Sequence, residues 1–105
     1  VHVDIDWKRI REEMKHQNIH YIKNVISSRD IDIDAQNPED GKTLLIYAVI
    51  IGDVDLVTAL CNFGADTKLK DQQGMDALDH AKNGGIYKIT EMVYFRSMSS
   101  GLGND

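Results

Sequence analysis

The chain is predicted to fold as an all-α protein, a short solenoid of stacked helix-turn-helix units. Three observations predict it. Gly41, Leu45, Ala48 and Gly52 return in the same order as Gly74, Leu78, Ala81 and Gly85, each pair 33 residues apart. Self-similarity at one fixed period of this length is the mark of a repeat architecture. Within the period, Val54, Leu56, Val57, Leu60 and Cys61 fall at the i, i+3, i+4, i+7 spacing of a helix buried along one face. Finally, Gly52 breaks the first apolar run so that a second helix can begin, and Gly64 ends that one in the position where a left-handed C-cap is wanted.

In the N-terminal unit, Trp7, Ile10 and Met14 form the buried stripe of a first helix, capped by Asp4 or Asp6. The offset to the central unit widens to 34 here, which places Asn18 on Gly52, Ile22 on Leu56, Ile26 on Leu60 and Asp32 on Asp66. The additional residue falls in the hairpin from Asp34 to Gly41, longer than its counterpart from Asp66 to Gly74. In the central unit, Gly41 permits a tight turn and Thr43 caps the first helix with its hydroxyl. Leu45 and Ala48 face a neighbouring helix, and Leu69 leads toward the next hairpin. In the third unit Asp76 takes the capping place of Thr43, Leu78 and Ala81 keep the stripe, and Asp79 replaces Ile46. Asn83-Gly84-Gly85 makes a looser turn, and Ile86, Ile89, Met92 and Val93 carry the second helix. Periodicity fades after Phe95, so the run from Ser97 to Gly103 reads as a frayed tail or linker. The expected organisation is one domain over 1–96, with units at about 5–37, 38–70 and 71–96, and a tail at 97–105.

The central unit reads Asp40-Gly41-Lys42-Thr43-Leu44-Leu45-Ile46-Tyr47-Ala48, then Gly52, Leu56-Val57 and Gly64-Ala65-Asp66. This resembles the ankyrin repeat, a β-turn followed by two antiparallel helices, with Leu44 and Ile46 where the family usually has Pro and His. The resemblance covers roughly residues 6–95. It implies an ankyrin-repeat solenoid with short β-hairpin connections, atypical terminal repeats, and about the smallest repeat number that is stable. It also implies a binding module without catalysis of its own, whose hairpin tips serve as contact fingers.

Composition narrows the setting. The 105 residues suffice for one small domain, with 42% hydrophobic residues and one Pro. The first residue is Val1, no stretch resembles a signal peptide or a membrane span, and a piece of a longer polypeptide is expected. The single cysteine, Cys61, forms no internal disulfide and no Asn-x-Ser/Thr site occurs, which favours an intracellular location, cytoplasmic or nuclear. Net charge is −5, and residues 29–66 hold eight acids against Arg29 and Lys42. Such a band repels phosphate backbones, so no nucleic-acid partner is expected, and no membrane.

No catalytic, metal or cofactor constellation assembles. Asp30-Ile31-Asp32-Ile33-Asp34 begins like a calcium loop, but Ala35 and Gly41 occupy the positions that need Gly and Glu. His16 and His20 fall on either side of the turn at Asn18 and lack a third ligand. Cys61 lies on an apolar stripe with no neighbouring base, His80 has no nucleophile at a useful spacing, and Gly84-Gly85 lacks the rest of a phosphate loop.

Two features remain for function. Ile50 and Ile51 follow the first helix of the central unit, and neighbours about 100° apart cannot both face its buried side. One is expected to pack inside and the other to stay exposed, with Tyr47 beside them as an aromatic anchor. The hairpin tips supply Asn37, Glu39, Asp40 and Lys42 from one finger and Lys70, Gln72, Gln73 and Met75 from the next. An acidic, mixed-charge rim around an apolar centre favours a basic or amphipathic protein or peptide segment. The alternative is a structural or autoregulatory role, with this face packed against the rest of the same polypeptide. Because a ligand that binds only the folded state raises its melting temperature, adding calcium or zinc should leave the thermal midpoint unchanged. A midpoint that climbs with metal concentration would restore the Asp30–Asp34 run or the histidines as ligands.

Overall fold

Five helices open on a side chain that accepts a hydrogen bond from the first turn, as short polar residues do when they relieve unpaired backbone N–H groups. The computed structural model describes residues 5–28 and 31–102. Asp6 caps α1 (Trp7–Lys15) by accepting from the Arg9 N–H at 3.0 Å. Asn18 caps α2 (Ile19–Ser27), Thr43 caps α3 (Leu44–Ile51) and Asp53 caps α4 (Val54–Asn62). Asp76 caps α5 (Ala77–Gly84), where Asp79 returns a bond to the Asp76 N–H. The sixth helix, α6, runs Tyr87–Leu102. The other capping candidate, Asp4, lies outside the described residues, as do Arg29, Asp30 and 103–105.

The helices pair within each unit, α1 with α2, α3 with α4, α5 with α6, and the units stack through α3 on α5, α2 on α4 and α4 on α6. The core is the set the periodicity selects: Ile10, Met14, Ile22, Ile26, Leu45, Leu56, Val57, Leu60, Cys61, Ile89 and Val93 are all buried. Helix α3 packs both on α4 of its own unit and on α5 of the next. Leu44, Leu45, Ile46, Ala48 and Val49 are all buried, so the helix is apolar nearly all round. Buried alanines, Ala48 on α3 and Ala77 and Ala81 on α5, suit the close packing of these two helices. The Cys61 thiol is buried, and desolvation pushes its pKa up, which disfavours the reactive thiolate.

Several local expectations are revised. Asn18 does not stand in for Gly52. Gln17 takes the left-handed conformation (φ 58°), and Asn18 does the capping work of Asp53. The N–H groups of Gln17 and Asn18 bond back to Met14 and Glu13, a Schellman closure of α1 achieved without glycine. Residues 97–102, read as the start of a tail, continue α6. Leu78 is half-buried rather than core, and Ile86 is largely exposed, lying against Gly52. No strand forms among the described residues. Each finger is closed at its base by a backbone bond, Asn37 N–H to the Lys42 carbonyl and Asp71 N–H to the Met75 carbonyl, both 2.9 Å, with turn bonds from Gly41 to Asn37 and from Gly74 to Asp71 inside them. No helix among the described residues is long and apolar enough to cross a membrane.

Leu45 and Leu60 are wholly buried in different helices of the central unit. Leu45→Ala and Leu60→Ala should each lower the unfolding free energy by about 2–5 kcal/mol in chemical denaturation. Losses of under about half a kilocalorie per mole in both, far below that range, would place the repeat register elsewhere.

Candidate protein-interaction groove

The apolar face of α3 is consumed by its neighbours, so only one strip of this helix reaches solvent. Ile50 is 51% exposed, while Ile51 and Tyr47 are half-buried and pack against the core. The two isoleucines therefore divide as helical geometry requires, Ile51 inward and Ile50 outward. The Tyr47 hydroxyl donates to Asp40 Oδ2 at 2.5 Å and accepts from Asn37 Nδ2 at 2.9 Å. Burial, with the carboxylate of Asp40 beside it, pushes the phenol pKa up to about 12. It stays a neutral donor throughout the working pH range.

These bonds change the role of Asn37. It is 1% exposed, not a contact at the finger tip. Its side-chain oxygen accepts the Glu39 N–H and its carbonyl accepts the Gly41 N–H at 2.7 Å. Asn37 is the internal base of the first finger. Asp40 is similarly occupied, taking the Tyr47 hydroxyl on one oxygen and the Lys42 N–H on the other.

Helix α1 packs against α2 but not closely against α3. A groove of about 480 Å³ opens between them and the first finger, with Met14, Tyr47, Ile50 and Ile51 as its apolar lining. Two contacts span it. The Trp7 and Tyr47 rings meet at 5.9 Å and 44°, and Arg11 pairs with Glu39 at 3.2 Å. The α1 side of the lip carries Lys8, Arg11 and Lys15 with Glu12 between them. Lys15 and Glu12 approach to 3.9 Å, and Lys8 makes no ion pair among the described residues.

The second finger is built around another carboxylate. Asp71, its side chain fully buried, accepts from the N–H groups of Gln73 (2.9 Å) and Met75 (3.0 Å). His80 Nε2 lies 2.7 Å from its Oδ2 and the Lys42 ammonium 3.7 Å away. The fingers lie side by side. The Gln72 N–H donates to the Asp40 carbonyl at 3.0 Å, and Gln36 Nε2 bonds both the Gly41 and Lys70 carbonyls. A Cβ at Gly41 (φ 76°) would come within 2.8 Å of the Gln72 nitrogen, so glycine is required there twice over.

Of the residues expected to form the site, Glu39, Tyr47, Ile50 and Ile51 share one groove. Lys70, Gln72 and Gln73 are exposed on the second finger and Met75 is half-buried, outside that groove's lining. Lys42 turns toward Asp71. The α1 lip escaped the sequence reading, although Lys8, Arg11 and Lys15 fall at i, i+3 and i+7. His16 and His20 flank the turn between α1 and α2, both exposed. No group of three or more His, Cys, Asp or Glu side chains is placed to hold a metal among the described residues.

Comparison with known proteins places this geometry in a family. Residues 14–98 match the family model for ankyrin repeats in three copies. Notch-regulated ankyrin repeat-containing protein B of Danio rerio is 34% identical over 86 residues, covering 77% of each chain. The Homo sapiens Notch-regulated ankyrin repeat-containing protein is 33% identical over 86 residues, 77% of this chain and 75% of its own. A solved structure of a predatory endopeptidase from Bdellovibrio bacteriovorus in complex with an immunity protein superposes with TM-score 0.72 at 27% identity. That match takes in 81% of this chain and 44% of the solved one.

Burial works to raise the pKa of Asp71, but the bond from His80 and the N–H groups of Met75 and Gln73 outweigh it and hold the carboxyl below the ordinary range. The unfolded chain therefore takes up this proton at higher pH than the folded one. The associated stability is complete above the unfolded value of about 3.9 and disappears as pH falls through the lower folded value. Asp71→Asn should cost about 1–3 kcal/mol at neutral pH and flatten the acid limb of stability measured by denaturant titration. An unchanged acid limb would assign that limb to other carboxylates.

Proposed function

The chain belongs to the ankyrin-repeat family, and on that footing we propose that it is a non-catalytic intracellular module that binds a segment of another protein in the groove between α1 and α3. Ankyrin repeats are generally protein–protein interaction modules. The observation that carries the reading is the gap itself. First helices α3 and α5 pack directly on each other, whereas α1 stands off from α3 and leaves Met14, Ile50 and Ile51 lining an open slot. An exposed isoleucine inside a polar rim is the arrangement in which interface energy concentrates. The rigid fingers beside it, with Lys70, Gln72, Gln73 and Met75 on the second, extend the surface available to a longer partner.

Ile50 gives the cleanest test. Its side chain is half in solvent, so charging it disturbs the groove and spares the core. Tyr47 is less clean because it also holds Asn37 and Asp40. Proteins captured from cell extract by the parent chain should be lost with Ile50→Asp, a weakening of about 2 kcal/mol or more, while the denaturation midpoint stays near that of the parent. Tyr47→Ala should lose both binding and some stability. A stably folded Tyr47, Ile50 and Ile51 triple variant that captures the same proteins equally well would exclude the groove. Rim substitutions at Glu39 or Gln72 should matter less, about 0–1 kcal/mol each.

A further inference from the structure

We infer that the segment received by this groove is amphipathic and acidic, with an apolar side chain seated on Met14, Ile50 and Ile51 and carboxylates facing Lys8, Arg11 and Lys15. The inference rests on the reading of the groove as the interaction site and adds the chemistry of its occupant. It opposes what net charge suggests. The whole chain carries −5, which points to a basic partner, but the local balance at the lip runs the other way.

Around the slot the acids are already engaged. Glu39 faces Arg11 at 3.2 Å, and Asp40 is taken up by the Tyr47 hydroxyl and the Lys42 N–H. Glu12 has Lys15 at 3.9 Å. Three cations thus stand against two carboxylates on the lining, and Lys8 is without an ion-pair partner among the described residues. Spacing adds direction. Positions 8, 11 and 15 lie along one side of α1 over about 10 Å, two helical turns. Charges farther off than about 8–10 Å are screened at physiological salt, so the lip and not the distant acidic turns sets the field an entering segment meets. A basic segment would bring like charge against Lys8, Arg11 and Lys15, whereas an acidic one completes them. The apolar floor supplies the anchoring contact and the lip selects the sign.

The test is a selection of random short peptides displayed on phage against the full chain. Fluorescence anisotropy of the enriched peptides then follows, on the parent and on two variants. Ile50→Asp removes the floor. Lys8→Glu with Lys15→Glu reverses the lip, and Lys8→Gln with Lys15→Gln stands in should the reversal perturb folding by circular dichroism. Enriched peptides should combine a large apolar residue with Asp or Glu and lose binding to Ile50→Asp. Their affinity should fall about tenfold on lip reversal, a difference that shrinks as salt rises. Peptides that need Ile50 yet carry Lys or Arg, or that ignore the lip substitutions, would overturn the acidic assignment and leave the groove standing. Failure to enrich any peptide, or enriched peptides that bind Ile50→Asp as tightly as the parent, would overturn the groove reading and this inference with it.

Discussion

The structure turns on the place where the two fingers touch, between Gly41 and the buried carboxylate of Asp71. A carboxylate removed from water is costly unless several donors surround it. Asp71 meets that demand from three directions: the N–H groups of its own turn, His80 from α5, and the ammonium of Lys42 from the neighbouring finger. Each donor fixes one relationship. The turn bonds shape the second finger, His80 ties that finger to its helix, and Lys42 with the Gln72-to-Asp40 backbone bond ties it to the first finger. The approach is close enough that no side chain fits at Gly41. Finger spacing is therefore set by backbone contact, and the packing of α3 on α5 follows from it.

The central unit repeats the same brace in different chemistry. Tyr47 and His80 are 33 residues apart and hold the same place on their first helices. Each reaches back to the residue at the base of its own finger, Tyr47 to Asn37 and His80 to Asp71. One pair is a phenol with a neutral amide, the other an imidazole with a carboxylate. Tyr47 also lines the slot and meets Trp7 there, while the carboxylate of Asp71 gives the second brace its acid sensitivity. One structural solution therefore appears in two chemistries, lining an open slot in one unit and clasping a carboxylate in the next.

Much of the fold was legible because it depends on periodic quantities. A fixed offset of 33 located the turns, short polar residues located the caps, and the apolar stripes located the core. What stayed illegible depends on tertiary geometry. Asn37 sits in a charged, turn-forming segment that reads as solvated, and only the position of Tyr47 in space turns it inward. Gln17 adopts a left-handed conformation that residue preference alone does not signal, because the Schellman bonds of α1 hold it there. The helix beyond Phe95 lacks amphipathic spacing, yet a helix already nucleated by packed Ile89 and Val93 extends cheaply into a serine-rich run. Half of the candidate site was visible. Tyr47, Ile50 and Ile51 stand out as apolar residues left over once the core is assigned. The other half was hidden, since the sequence does not reveal that α1 stands away from α3.

That separation makes net charge a poor guide to recognition in this molecule. The acids outnumber the bases by 17 to 12, and many of them serve the fold. Asp53 caps α4, Asp40 and Asp71 brace fingers, and Asp34 accepts the Asp66 N–H. A carboxylate used in this way has its oxygens occupied by N–H and O–H groups and is less available to pair with an incoming segment. The cations of α1 have no such structural duty beyond surface pairs, which are worth little and exchange readily. They are the charges free to be redirected when another segment arrives. Where the acids of a repeat protein hold its turns, the cations beside an apolar slot weigh more in what we propose it receives than the sign of the whole.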